Sequence, residues 1–270
     1  MTRVAVIARI LPVLAILVWS LQGVSRAENA LTLDLSDYEL TFEEDFDRLD
    51  VSAWGPGTRW IAHTPWNGDF GDAAFADPRP GFPFTVKDGV LAIEARKDEG
   101  GKWASGLLAS VDGAGRGFSQ RYGYFEMRAK FPKGEGTWPA FWLIGLDRLT
   151  HTSEVDVVEH YGHFPGRYTA SVHVWDRKTA SKSSSVHHRV LVAPGSLYDD
   201  YNTFGAKIDA DWIIFYFNRQ EVWRQSTPEH HKQPMYLLVD LGVGAGWPTE
   251  NTPDPSVMLV DYVKVWARED

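Results

Sequence analysis

Tyr122-Gly-Tyr-Phe-Glu-Met-Arg-Ala-Lys-Phe131 sets the fold class. Phe125, Met127, Ala129 and Phe131 fall on one side, and Tyr124, Glu126, Arg128 and Lys130 on the other. That is the period-two pattern of a half-buried strand. Similar segments lie on both sides of it. Leu40 to Phe46 and Val90 to Arg96 precede it as strands. Trp212 to Phe217 and Glu221 to Gln225 follow, flanking Asn218-Arg219-Gln220 as a hairpin. Met235 to Leu241 and Val257 to Trp266 close the chain as two largely apolar strands. Asp77-Pro-Arg-Pro-Gly-Phe-Pro83 reads as a turn-rich loop. No long stretch carries a helical period, and no repeat or linker divides the chain. Many short strands with frequent turns predict an all-β antiparallel sandwich.

The first residues have a different character. Arg3 and Arg9 give a basic start, and Ile10 to Val18 is an apolar run of nine residues. Ser25-Arg26-Ala27 places small residues where a signal peptidase reads. The run is too short to span a bilayer, which takes about 20 residues. Residues 1–27 are therefore expected to be a cleaved signal peptide, and 28–270 a single domain that is secreted or periplasmic, without stable membrane insertion. Residues 1–27 hold three Arg and no acid, so the remainder carries 24 basic against 36 acidic residues, a net of −12. Such a balance gives no electrostatic case for binding nucleic acid. With no Cys in the chain, neither a disulfide nor a lipoprotein anchor is available, and stability must come from core burial. A monomer is expected. Twelve Trp, ten Tyr and fourteen Phe suit a β-rich core and equally a cleft where flat rings stack on sugars.

The chemistry concentrates in Ser153-Glu-Val-Asp-Val-Val-Glu-His160. Alternation puts Glu154 and Asp156 on one face, and Val155 and Val157 on the other. Strict alternation would turn Glu159 away, because five is odd. One extra residue, a β-bulge near Val157 or Val158, brings it back. Three acids then share a face. Crowded carboxylates push their pKa values apart, so that one group stays protonated while another ionises. Glycoside hydrolysis with retention needs that division, with carboxyl groups about 5–5.5 Å apart. Four strand steps put the two Glu backbones about 13 Å apart, so the side chains must lean together. An acidic, solvated strand edge holding a cation is the other reading of the spacing alone.

The neighbouring residues carry a resemblance. Tyr122-Gly-Tyr-Phe-Glu-Met-Arg-Ala-Lys-Phe-Pro132, Gly136-Thr-Trp-Pro-Ala-Phe-Trp-Leu143 and Glu154-Val-Asp-Val-Val-Glu159 resemble glycoside hydrolase family sixteen. So do Thr41-Phe-Glu-Glu-Asp-Phe46, Ser171-Val-His-Val-Trp175, Met235-Tyr-Leu-Leu-Val-Asp-Leu-Gly242 and Val260-Asp-Tyr-Val-Lys-Val265. The six-residue bulged form is similar to the laminarinase, agarase and carrageenase branches. The resemblance implies a β-jelly-roll with a substrate cleft across its concave sheet. It also implies cleavage of internal β-linkages of a polysaccharide, β-1,3- or mixed-linkage β-glucan first. On matching positions, Glu154 is the nucleophile, Asp156 its orienting neighbour and Glu159 the acid/base.

Other candidates follow from strand faces. Trp138, Ala140 and Trp142 share one face, with Pro139, Phe141 and Leu143 on the other. An isolated Trp pair suits the core; beside the carboxylates, and matching cleft tryptophans of the family, Trp138 and Trp142 read as sugar platforms. His173 and Trp175 lie opposite Ala170, Val172 and Val174, and should face the cleft, with a satisfied core histidine as the alternative for His173. His187-His188 and His230-His231 read as surface loops and not as metal ligands. Trp66 and Asp69 lie where family members carry substrate loops, and Trp247 follows a glycine-rich loop at one end of the cleft. The Trp66 to Gly71 segment departs from the laminarinase pattern toward bacterial enzymes that cut exopolysaccharides. Asp240 stands where many relatives have Asn, and Gly244-Ala245 where many have two glycines. The resemblance further implies a structural calcium through Asp45, Gly89 and Asp261, and no catalytic metal. The rival classes are an exopolysaccharide depolymerase of the same mechanism, a transglycosylase, and a non-catalytic jelly-roll carbohydrate-binding protein.

Overall fold

The computed structural model describes residues 32–268, so the expected signal peptide lies outside the described residues. Two β-sheets stack as a jelly-roll sandwich. The first has the spatial order Ser184–Leu191, Arg167–Asp176, His151–Glu159, Thr137–Gly145, Met235–Val243, Leu107–Ala109, Trp60–Ile61, Val51–Ser52. The second is built around Gly123–Lys130 and Ser256–Arg268, flanked by the Asn202–Ile208, Trp212–Phe217 and Gln220–Ser226 strands on one side and Val90–Lys97 on the other.

Pairing is antiparallel except in two short pairs that run parallel, Val51–Ser52 with Trp60–Ile61 and Ala73–Phe75 with Trp103–Ser105. A wholly antiparallel sandwich was expected. In both exceptions the chain loops round before it meets the sheet again, so the two segments run the same way. The Trp103–Ser105 and Leu107–Ala109 strands and the His-bearing Ser184–Leu191 strand carry no signal that the sequence reading picked up.

The core lies between the sheets. Phe125, Met127 and Ala129 from the second meet Phe141, Leu143, Val155, Val157, Val158, Leu237, Val239 and Leu241 from the first. The opposite face of the first sheet holds a separate apolar cluster with Ala140, Trp142, Ile144, Tyr236 and Leu238, against which Phe70 packs.

The Gly123–Lys130 strand departs from its half-buried reading. Tyr124 and Glu126 are as buried as the core-facing residues. The reason is a lid over the outer face. Leu33, Leu35 and Tyr38 pack against Tyr124, Ile214 and Tyr216. Glu126 takes two hydrogen bonds from Arg219, at 2.8 and 3.0 Å, and one each from the Tyr124 and Tyr262 hydroxyls. Arg219 reaches it from the expected hairpin, whose loop is the two residues Asn218 and Arg219, both at positive φ. That is the turn that matches strand twist, and Gln220 already belongs to the next strand.

Candidate active site

The His151–Glu159 strand runs through the first sheet between Thr137–Gly145 and Arg167–Asp176. On one side Phe141 faces Val158 and Trp142 faces Asp156, so Val157 is one residue too many. On the other, Asp156 faces Ser171 and Glu159 faces Thr169, three steps against two. This is the β-bulge, and it puts Glu154, Asp156 and Glu159 together in the lining of one cleft of about 800 Å³ with Trp138, Tyr161, His173 and Trp175.

Each acid has distinct partners. The Trp175 indole donates to Glu154 Oε2 at 3.0 Å. His173 lies 2.9 Å from Asp156 Oδ2 through Nε2, and 2.6 Å from Ser185 Oγ through Nδ1. One oxygen from each of Glu154 and Asp156 and a ring nitrogen of His173 all fall within 4.8 Å of one another. Burial holds the His173 pKa below its ordinary value, so the ring is neutral, donating from Nε2 and accepting from Ser185. Glu159 accepts from Tyr161 at 2.9 Å and Trp138 at 3.2 Å, both on Oε1. Oε2 is thereby the oxygen free to carry a proton.

The cluster titrates as a unit. Burial, then the charge of Asp156, lifts Glu154 to about 8. Burial, then the charge of Glu159, raises Asp156 well above its ordinary range. Burial also raises Glu159, against the bonds from Tyr161 and Trp138. Asp156 is the more enclosed of the first two, its side chain 5% exposed against 19% for Glu154. The first proton therefore belongs on Asp156. Neutralising Asp156 removes its push on Glu154, which then ionises with Trp175 as donor.

Residues in and beneath the cleft include some that the sequence alone misplaced or left unmarked. His231 is fully buried and lies 3.1 Å from the Glu154 carbonyl through Nε2; it is not on a surface loop. Burial takes its pKa down to about 4. The polar residues around it in sequence hid its packing beneath the catalytic strand. His187 and His188 lie on a strand as well. His187 meets Ser171 Oγ at 3.0 Å, and His188 stacks on Trp223. Tyr161, just past the strand, gave no signal in the sequence.

A model of the family described as Glycosyl hydrolases family 16 matches residues 83–264. The chain belongs to that family. It is 34% identical over 261 residues to the endo-1,3-1,4-beta-glycanase EglC of Rhizobium meliloti (strain 1021), covering 88% of this chain and 54% of EglC. It is 33% identical over 260 residues to ExsH, a protein of the same description and organism, covering 88% and 53%. The chain thus spans about half the length of these relatives. The catalytic domain of an endo-1,3-beta-glucanase (laminarinase) from Thermotoga petrophila RKU-1 superposes with a TM-score of 0.67 at 25% identity, covering 87% of this chain and 99% of that one.

The remaining candidates of this family 16 chain divide by location. Trp66, Asp69, Trp138 and Trp142 line a hollow of about 260 Å³ with the three acids, Phe70, Ala140 and Asp240. Trp138 is seated by two glycines. A Cβ on Gly242 would come within 2.9 Å of its ring, and one on Gly71, already at φ +68°, would strike the Val243 carbonyl. Trp142 is 8% exposed and belongs to an apolar cluster, so it is core packing as much as cleft wall. Trp142→Ala should therefore cost about 3–5 kcal/mol of unfolding free energy. Trp138→Ala, at a partly open site, should lose less stability and raise KM more. Urea unfolding beside steady-state kinetics separates the two, and equal stability losses would refute the distinction. Trp247 stacks on His163 and lines an adjoining groove with Tyr161, Thr169, Arg167 and Arg189.

The implied calcium set divides by its partners. Asp45 and Gly89 are neighbours, an added Cβ at Gly89 lying 3.6 Å from the Asp45 carbonyl. Asp261 instead accepts from Arg128 at 2.6 Å through Oδ2. Calcium wants six to eight oxygens, and the carboxylate of the last strand is here balanced by a guanidinium. These residues do not fit the ion as arranged.

The raised carboxyls leave a thermodynamic mark. Asp240 sits at about 8, and the Glu154–Asp156 pair keeps one proton between them, so the folded chain holds protons that the unfolded chain releases near pH 4–5. Stability should fall as pH rises from about 6.5 to about 8, by about 1 kcal/mol per pH unit for each proton held. His160 and His231, buried with pKa values of about 4, oppose this trend only below about pH 6.5. Thermal unfolding across that window should show the slope, and Asp240→Asn should flatten it. A wild-type melting temperature that rises over the same window would contradict the reading.

Proposed function

We propose that the chain is a retaining endo-β-glycanase, cleaving internal β-1,3 or mixed-linkage bonds of a β-glucan. The observation that carries this is the bulge at Val157, which sets Glu154 and Glu159 on one cleft with Asp156 between them. Glu159 gives its Oε2 proton to the glycosidic oxygen while ionised Glu154 attacks the anomeric carbon. The sugar becomes an ester of Glu154, and the cut chain leaves as an alcohol. Glu159, now a carboxylate held by Tyr161 and Trp138, takes a proton from water. That water opens the ester and restores both groups. Asp156 and His173 hold Glu154 in place and tune its charge.

The relatives' descriptions support a β-glycan substrate for this chain too. A non-catalytic sugar-binding role is disfavoured by the presence of both glutamates and Asp156. Whether water or a second sugar opens the ester depends on the acceptor end of the cleft. We also propose export, with cleavage after Ala27. Among the described residues no helix is long and apolar enough to cross a membrane. N-terminal sequencing of exported protein should begin at Glu28.

A second reading has its own observation. Arg167 and Arg189 line the groove beside Trp247, and the Arg167 guanidinium packs over Phe164 at 3.8 Å. In a chain of net charge −9, two cations beside the cleft favour a glycan with acidic substituents, a bacterial exopolysaccharide. One experiment tests both readings: digestion of laminarin, mixed-linkage glucan, agarose, carrageenan and acidic exopolysaccharides, read by new reducing ends and product mass. Neutral glucan as the best substrate supports the first. An acidic glycan, cleaved faster at low salt, supports the second. No new ends from any of them would defeat both.

A further inference from the structure

Asp240 is a buried carboxyl group that the proposed reaction does not use. It lies midway along Met235–Val243, opposite Ala140, and Ala140 lies opposite Glu159 on its other side. Two strand spacings separate Asp240 from Glu159, about 10 Å between backbones. Ala140 contributes only a methyl group between them, so both acids line the same hollow. Trp138 and Trp142 flank it along the strand, and Trp66 and Phe70 close it from the loop above.

The two oxygens of Asp240 differ. Oδ1 accepts from the Trp142 indole at 2.8 Å. Oδ2 is buried and has no hydrogen-bond partner among the described residues. An ionised carboxylate there would be costly: fully enclosed, held by one donor, and facing Glu159 and Asp156. A protonated one becomes a donor at Oδ2. Burial first, and the charge of Glu159 in addition, push its pKa to about 8 against the bond from Trp142. The backbone N–H of Gly242 acts in the same direction as the Trp142 indole. The indole N–H groups of Trp138 and Trp142 are already committed to Glu159 and Asp240. The proton on Oδ2 is therefore a donor, besides that of Glu159, that the hollow can offer a sugar.

We propose that Asp240 is a specificity-determining residue that works as a neutral carboxylic acid, donating a hydrogen bond from Oδ2 to a hydroxyl oxygen of an uncharged sugar ring in this hollow. The proposal rests on the glycanase reading for its substrate. Ionised Glu154 lines the same space, so an anionic substituent is opposed there by like charge. Acidic groups, where a glycan has them, belong at the Arg167 and Arg189 end.

Two measurements test this. Infrared difference spectra of wild type against Asp240→Asn at pH 7 should show the carbonyl stretch of one protonated carboxyl group lost. Loss of a carboxylate band in its place would overturn the proposal. That result does not depend on any glycan being cleaved, so it stands or fails apart from the glycanase reading. The second measurement is kcat/KM on the best polysaccharide. Asp240→Leu should lower it roughly tenfold to a hundredfold, the cost of a missing hydrogen bond to the substrate. Asp240→Asn, a neutral donor of the same shape, should recover most of that loss. An Asn variant as impaired as the Leu variant, with both folded by thermal unfolding, would show that Asp240 does not act as a neutral donor.

Discussion

Glu154→Ala should yield a folded chain that binds glycan and cleaves almost none of it, with kcat reduced roughly 10⁴-fold or more. The fold has little reason to suffer. Glu154 accepts one indole hydrogen bond, from Trp175, and burial opposes its charge. Removing it takes a poorly solvated charge out of the fold, so the melting temperature should hold or rise. The chemistry has no substitute, because neither Asp156, buried behind it, nor Glu159, across the bulge, can reach the anomeric carbon from the same side. Azide should restore turnover on an activated aryl glycoside by entering the vacated space. The product should be the α-azide, since azide then attacks opposite the leaving group without an enzyme ester. A β-azide, or an unchanged rate without azide, would remove Glu154 from the nucleophile role.

Glu159→Ala should fail differently. A sugar alkoxide cannot leave without a proton, so turnover of polysaccharide should fall about 10²–10⁴-fold. A nitrophenolate scarcely needs that proton. On an aryl glycoside the ester on Glu154 should still form, in a burst, and then accumulate because no base activates water. Azide should open it from the other face and give the β-azide. The contrast between the two anomers identifies which glutamate attacks. Products of inverted configuration from wild type would refute both assignments together. Asp156→Asn should lower activity and leave the anomeric outcome alone, because its contacts, to His173 and toward Glu154, orient and tune but do not react.

The parts legible in the sequence share one property: their signal is local. Alternation in Gly123–Lys130 marks a strand because each residue's face is set by its neighbours two away, and the largely apolar run of Ser256–Arg268 marks another. The odd spacing of Glu154 and Glu159 implied the extra residue that the register shows at Val157. Residues made functional by distant partners stayed hidden. His231 is one, since its partner is a carbonyl 77 positions earlier. Tyr161 is another, since only the turn after the strand swings its hydroxyl back onto Glu159. The burial of Glu126 depended on Arg219, 93 positions on. Asp240 could be noted as unusual, but its chemical state needed the surrounding Trp142 and Glu159.

The bulge also constrains how this strand can change. A regular strand sends every second residue inward, yet Val155, Val157 and Val158 all reach the core, two of them adjacent. The extra position therefore serves both faces, turning an acid outward and adding a valine inward. Deleting one residue between Asp156 and Glu159 would remove the bulge and one core valine together, and the even spacing left behind would keep the acid on the face of Glu154 by regular alternation. Flattening the bulge without shortening the strand would instead turn Glu159 into the hydrocarbon between the sheets. The bulge and the added residue are thus tied: neither can be lost alone, but the two can be lost as a pair, at the cost of the core volume that one valine fills.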